Sequence, residues 1–238
     1  NKRCENSILV TYRPIDMDRY RLDDLDNYTL IINQSSIPDW FNKKAKKEAI
    51  EKLRHIIESM IIKKRRKLLL NEGAILTRTA TINHAKNAKI FAMYDNSKVQ
   101  KLSHSSIVKQ MSDRSIIGEM FGNSIVEEMI AKSRITEMYG DSRILKMYGR
   151  SKIIKMKGHA RVDYAKGHSS IDAMDSNAFT YSLRHMSLVD EMHGKSSIDE
   201  MWDWAIVNSM YDTAYIDFMD DDTKVKNMYG YSAINEMY

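Results

Sequence analysis

A nine-residue period runs through most of the chain and limits what it can become. From Met93 to Met237, every ninth residue is methionine except Leu102, Ala165 and Leu183. Counting each methionine as position one, position five is always small, from Ser97 through Ala160 to Ser232. Position seven is Ile or Val in every unit except one, where it is Thr180. Positions two and three often read Tyr-Gly or Tyr-Asp, as in Tyr139-Gly140, and no insertion breaks the count.

Nine residues match neither the amphipathic helix nor the heptad coil. Small, β-branched and turn-forming residues at fixed offsets suit a β-solenoid. Positions five and seven lie two apart, so they share the inward face of a strand, while six and eight point outward. A single unit cannot close a coil. Nine residues extend at most ~30 Å, and facing strands with side chains between them need about 10 Å. Two units per rung, eighteen residues, give two short parallel strands facing each other across a flat core. The sixteen units over 93–236 predict eight rungs and a rod of roughly 38 Å, at about 4.8 Å per rung. Its interior is expected to be ladders of Met, Ser or Ala, and Ile or Val. The methionines are therefore read as core.

Upstream, Ala88 and Ile90 occupy positions five and seven of a degraded unit, so the coil is expected from about 74 to 238. Residues 1–73 are read as a small α/β capping domain. Two strands are expected at 7–12 and 28–33, then an amphipathic helix over about 37–62. Its start signal is Ser36, Pro38 and Asp39, a hydroxyl three residues before an acid with proline in the first turn. Trp40, Phe41, Ala45, Ala49, Leu53, Ile56, Ile57 and Met60 follow at helical spacing. A helix of this kind can cover the open edge of a first rung.

Two motifs carry a family resemblance. Pro38-Asp39-Trp40-Phe41 opens the helix, and Phe121-Gly122-Asn123-Ser124-Ile125-Val126 typifies the rungs. The chain resembles phage and prophage β-solenoid proteins that pair a compact N-terminal region with rungs of the form Tyr-Gly-Asn-Ser/Ala-x-Val. The resemblance implies an interaction protein of phage type and brings no catalytic residues with it.

Motifs for enzymatic chemistry are missing: there is no Gly-rich phosphate loop, His-Glu-x-x-His, Gly-x-Ser-x-Gly or paired-cysteine pattern. The serines sit at an inward position, away from any base or oxyanion hole. His159 and His168 fall at opposite corners of a rung, which argues against zinc. Calcium rolls need Gly-Gly-x-Gly-x-Asp turns, and the aspartates here follow no such pattern. The expectation is a non-enzyme without cofactor or metal. Cys4 is the only cysteine, which favours a reducing compartment and, for a phage product, the host cytoplasm. No apolar run reaches the ~20 residues of a membrane helix. The chain begins at Asn1 rather than Met, which leaves room for a removed leader.

The formal charge of +5 is unevenly spread. Residues 1–92 hold 19 Lys/Arg against 11 Asp/Glu, and 129–168 hold ten against three, whereas 170–222 hold two against twelve. At position six, Arg134 should stack over Lys152 on one face and Arg143 over Arg161 on the other. Like charges about 4.8 Å apart repel unless an anion neutralises them, so this column is a candidate site for nucleic acid or an acidic partner. No aromatic residue interleaves with it in sequence. At position eight, Asp172 should stack with Asp190 and Asp199 with Asp217. Trp202, Trp204, Tyr211 and Tyr215 lie near them and read as a protein-binding hot spot.

These features predict a non-enzymatic protein-binding, inhibitory module acting through its acidic-aromatic C-terminal half on a host or phage protein. A nucleic-acid-handling complex would suit that surface. The alternatives are nucleic-acid binding through the basic middle rungs and cap, and a structural module that forms a homodimer through its C-terminal rung.

Overall fold

The computed structural model describes residues 10–14, 21, 23, 24, 26, 28–32, 41–63 and 73–238. The chain divides into two compact units, Asn1–Ile61 and Ile62–Tyr238.

In the first unit, β1 (Val10–Pro14) pairs antiparallel with β2 (Tyr28–Ile32), Val10 opposite Ile32. Helix α1 (Lys43–Met60) follows. Asn42 caps it: its Oδ1 accepts from the amides of Lys44 and Ala45 at 3.0 and 3.1 Å, satisfying two of the donors a helix start leaves open. The start signal expected at Ser36–Asp39 lies outside the described residues, as do residues 7–9 of the first expected strand. At the other end Ile61 adopts extended backbone, so helix passes to strand without a loop. Arg54 holds Asp26 at 2.9 Å within this unit.

The second unit is a parallel β-solenoid. Its first strands are β3 (Ile61–Ile62), β4 (Ala74–Leu76), β5 (Thr81–Lys86), β6 (Lys89–Met93) and β7 (Lys98–Ser103). Fifteen five-residue strands complete it, from β8 (Ile107–Met111) and β9 (Ile116–Met120) to β22 (Ala233–Met237), each starting nine residues after the last. Even-numbered strands from β4 to β22 form one sheet with β3 at its start, and odd-numbered strands from β5 to β21 form the other. Each strand therefore pairs with the strand eighteen residues away, as Ile135 does with Ile153 and Met138 with Met156. The coil makes about nine turns, one more than the regular units predict, because the stretch from Ala74 to Ala92 also winds. Ala88 and Ile90 are buried there as expected.

Between the sheets lie the three predicted ladders. Methionines from Met93 to Met210, the small residues from Ser97 to Ala214 and the β-branched residues from Val99 to Ile216 are essentially inaccessible. Each such apolar side chain contributes about 1.5–3 kcal/mol by leaving water. Thr180, the exception at position seven, is accommodated because its hydroxyl donates to the sulfur of Met174 at 3.6 Å. Several serines, including Ser115, Ser133 and Ser151, bury hydroxyls with no partner among the described residues. By contrast, Ser106 Oγ donates to Ser103 O at 2.7 Å and accepts from Ala88 N at 3.1 Å.

The corners follow one rule. From Asp95 through Ala131, Gly149 and Gly167 to Gly230, position three has positive φ, and at most of these corners position five donates its amide back to position two, as Ser97 does to Tyr94 O at 3.1 Å. Glycine takes this backbone without cost. Aspartate makes up for it differently: Asp113 accepts from Asp95 N at 3.0 Å and Asp212 from Gly194 N at 2.9 Å, each one rung away.

Candidate functional site

Positions six, eight and nine of each strand form the outer faces of the rod, and the expected columns are in register on them. Arg134 lies beside Lys152 in the odd-numbered sheet and Arg143 beside Arg161 in the even-numbered one. The consequence differs from the expectation, because the protein supplies the anions itself. Asp163, only 7 % exposed, accepts from Arg143 Nε at 2.9 and 3.0 Å, again from its Nη2, and from Arg161 Nε at 2.8 Å. Asp163 holds the Arg143 guanidinium above its ordinary pKa, chiefly through these hydrogen bonds. On the other face, Lys152 Nζ meets Asp172 at 2.8 Å. Asp172 was expected in the acidic site and belongs instead to the basic one. Neither carboxylate can be assigned from a same-position column, since each sits two residues further along the following rung. Nor is the column without aromatics: Arg161 lies over the ring of Phe179, 5.0 Å from its centre.

The acidic-aromatic residues separate onto different surfaces. Asp172 and Asp190 lie in the odd-numbered sheet, where Asp190 accepts from Asn208 Nδ2 at 2.7 Å. Tyr211 lies at a corner, stacked between His193 at 4.6 Å and Tyr229 at 5.0 Å. Trp204 occupies another corner, and its Nε1 donates to Asp222 at 3.1 Å.

Asp199, Asp217, Tyr215 and Trp202 do come together, on the outer face of the even-numbered sheet over β18 (Ser197–Met201) and β20 (Tyr215–Met219). Asp199 and Asp217 occupy the same position on neighbouring rungs, and among the described residues neither has an ion pair within 4 Å. Partial burial, then the charge of Asp217, then that of Glu200 push the Asp199 carboxyl above its usual range. Tyr215, 41 % exposed, flanks the pair on one side. Phe218 flanks it on the other, with Trp202 tilted against its ring at 5.0 Å. Trp202 is half-buried rather than exposed: its Nε1 donates to Glu200 Oε2 at 3.0 Å, and the Arg184 guanidinium lies 5.6 Å from its ring centre. Glu200 and Phe218 are legible in sequence beside the aspartates and aromatics of this half, whereas Arg184 was missed, although its offset of eighteen from Trp202 places it here.

A depression of about 420 Å³ surrounds Gly118 on β9, lined by Lys98, Lys101, Glu119 and Glu137 among others. A Cβ at Gly118 would lie 2.6 Å from Gln100 O, so the glycine permits close approach of two rungs. Of these charges, Lys101 pairs with Glu119 at 3.2 Å. Among the described residues no three of His, Cys, Asp and Glu are placed to hold a metal ion, and no helix is long and apolar enough to cross a membrane.

No protein-family model matches the chain, and neither a curated protein nor a solved structure shows significant similarity to it.

Proposed function

We propose that the chain is a non-enzymatic, phage-type binding protein that inhibits a host or phage complex, acting in the cytoplasm through the outer face of β18 and β20. The observation that carries this reading is the pair Asp199 and Asp217, stacked on neighbouring rungs with no ion pair within 4 Å among the described residues; Arg161 only partly offsets the Asp199 charge, and Asn235 Nδ2 donates to Asp217 at 2.7 Å. Stacked carboxylates on adjacent rungs repel, and a partner's Lys or Arg would relieve that cost. An aromatic ring beside the pair can add a cation–π contact. Aromatic residues beside a desolvated charge are the usual anchors of protein interfaces. The phage assignment rests on the Pro38–Phe41 and Phe121–Val126 motifs.

Nucleic-acid binding through Arg134, Arg143, Lys152 and Arg161 is less favoured, because Asp163 and Asp172 already hold three of the four cations.

The test compares wild-type protein with an Asp199→Asn/Asp217→Asn/Tyr215→Ser variant, both immobilised and exposed to bacterial lysate, with bound proteins identified by mass spectrometry. A basic protein retained by the wild type and lost from the variant supports the reading. Equal retention by both, or no specific retention, overturns it.

A further inference from the structure

A second surface runs along one corner of the rod. On the corner that follows each even-numbered strand, position four of successive rungs is Arg114, Lys132, Arg150 and His168, all exposed. Their turns stack directly. Lys132 N–H donates to Asp113 O at 2.9 Å, Arg150 N–H to Ala131 O at 2.7 Å, and His168 N–H to Gly149 O at 2.8 Å. The side chains thus form a straight row at about 4.8 Å per rung.

This row is chemically unlike the position-six columns. Among the described residues none of Arg114, Lys132 and Arg150 is in an ion pair. Between residues 130 and 168 the second, third and fourth positions of this corner hold Ile130, Ala131, Lys132, Tyr148, Gly149, Arg150, Lys166, Gly167 and His168, with no carboxylate. Ala131, Gly149 and Gly167 keep the flank of the row low. Arg134 adds an exposed cation two residues from Lys132.

The same row continues through Met186, 56 % exposed, and Trp204, 57 % exposed, before it reaches Asp222. A line of cations without ion pairs among the described residues, ending on an exposed apolar step and an indole whose Nε1 donates to Asp222 at 3.1 Å, fits a chain carrying phosphates and free bases together. We propose that this corner binds single-stranded nucleic acid, with phosphates along Arg114, Lys132 and Arg150 and a base against Trp204. A flexible strand can adjust its phosphate spacing to a rigid row and has unpaired bases to stack. A duplex carries its phosphates away from a straight ridge and hides its base faces. An acidic protein surface usually intersperses both signs of charge and offers no counterpart for the indole. The cations lie apart from the face over β18 and β20, and only Trp204 adjoins it through Trp202, so the ridge variant tests this inference independently of that reading.

The experiment is fluorescence anisotropy with the full chain and labelled 20-nucleotide random single strands of DNA and RNA, the matching duplexes, and poly-glutamate. Three variants are compared with wild type: Arg114→Glu/Lys132→Glu/Arg150→Glu, Trp204→Ala, and a charge-matched control, Lys195→Glu/Lys224→Glu/Lys226→Glu. Circular dichroism confirms that each is folded. The expected result is single-strand binding that weakens tenfold or more in the ridge variant and about fivefold or more in Trp204→Ala, with little change in the control. The slope of log K against log salt should become shallower by about 2 when three phosphate contacts are lost. Absence of single-strand binding at low salt, equal loss in ridge and control variants, preference for duplex, or binding to poly-glutamate alone would each overturn the proposal.

Discussion

The guanidinium of Arg143 grips both carboxylate oxygens of Asp163, 2.9 and 3.0 Å from its Nε, across one rung of the solenoid. Arg161 shares the same carboxylate, so a single buried acid holds two stacked cations together. Replacing it with Asn leaves two guanidiniums facing each other. Asp163→Asn should lower stability by about 2 kcal/mol in denaturant titrations, and added salt should recover part of the loss. No change at low salt would mean that the pair adds nothing to the folded state.

Asp199 and Asp203, four residues apart, should respond to acid in opposite senses. Burial and Asp217 raise the Asp199 carboxyl, so the folded state binds its proton more tightly than the unfolded chain. Its charge therefore costs stability above the raised value, and that cost disappears below the ordinary carboxylate range. The hydrogen bonds from His185, side chain first and then backbone, lower Asp203. That group stabilises above the ordinary range, and the gain is lost as pH falls through its lowered value. At pH 7, Asp199→Asn should raise the melting temperature and Asp203→Asn should lower it, both by less than about 1 kcal/mol in stability. Melts repeated at acid pH should show both differences shrinking.

The serine ladder makes a paired prediction. The Ser133 hydroxyl has no hydrogen-bond partner among the described residues, and alanine fills the equivalent place at Ala160, Ala178, Ala205 and Ala214. Ser133→Ala should be neutral or stabilising by up to about 1 kcal/mol. Ser106 is bonded to Ser103 O and Ala88 N, and Ser106→Ala should cost about 1–2 kcal/mol. Chemical denaturation of the two variants side by side checks the contrast.

Ala131 sits at φ 58°, where it lacks the carboxylate by which Asp95 and Asp113 anchor their corners. Ala131→Gly should stabilise the protein by about 1 kcal/mol. A loss of stability would show that the methyl group packs usefully there.

The architecture was legible because its determinants recur. One period sets the rung length, the inward positions and the pairing of Arg143 with Arg161. The helix start was less legible, since Asn42 caps α1 although it stands among residues that already fit the helical pattern. The site was only partly legible. Column reasoning looks along one position, whereas Asp163 and Asp172 reach diagonally from position eight of one rung to position six of the rung before. The ridge of Arg114, Lys132 and Arg150 was overlooked for a different reason: corner residues have no strand alternation to mark them as outward.

The near-identity of the interior has a cost that falls on folding. A strand that skips a rung still lays methionine on methionine and serine on serine, so the core cannot tell the correct neighbour from the next one. The surface can. Lys101 with Glu119, Glu128 with Lys146, Arg143 with Asp163 and Lys152 with Asp172 each join one rung to its immediate successor. A skipped rung would lose two of these pairs outright, setting Glu128 against Tyr164 and Arg143 against Phe179 and Tyr181, a loss the correct register avoids. The outer ion pairs thus act as address labels, writing the order of assembly onto a core that is blind to it.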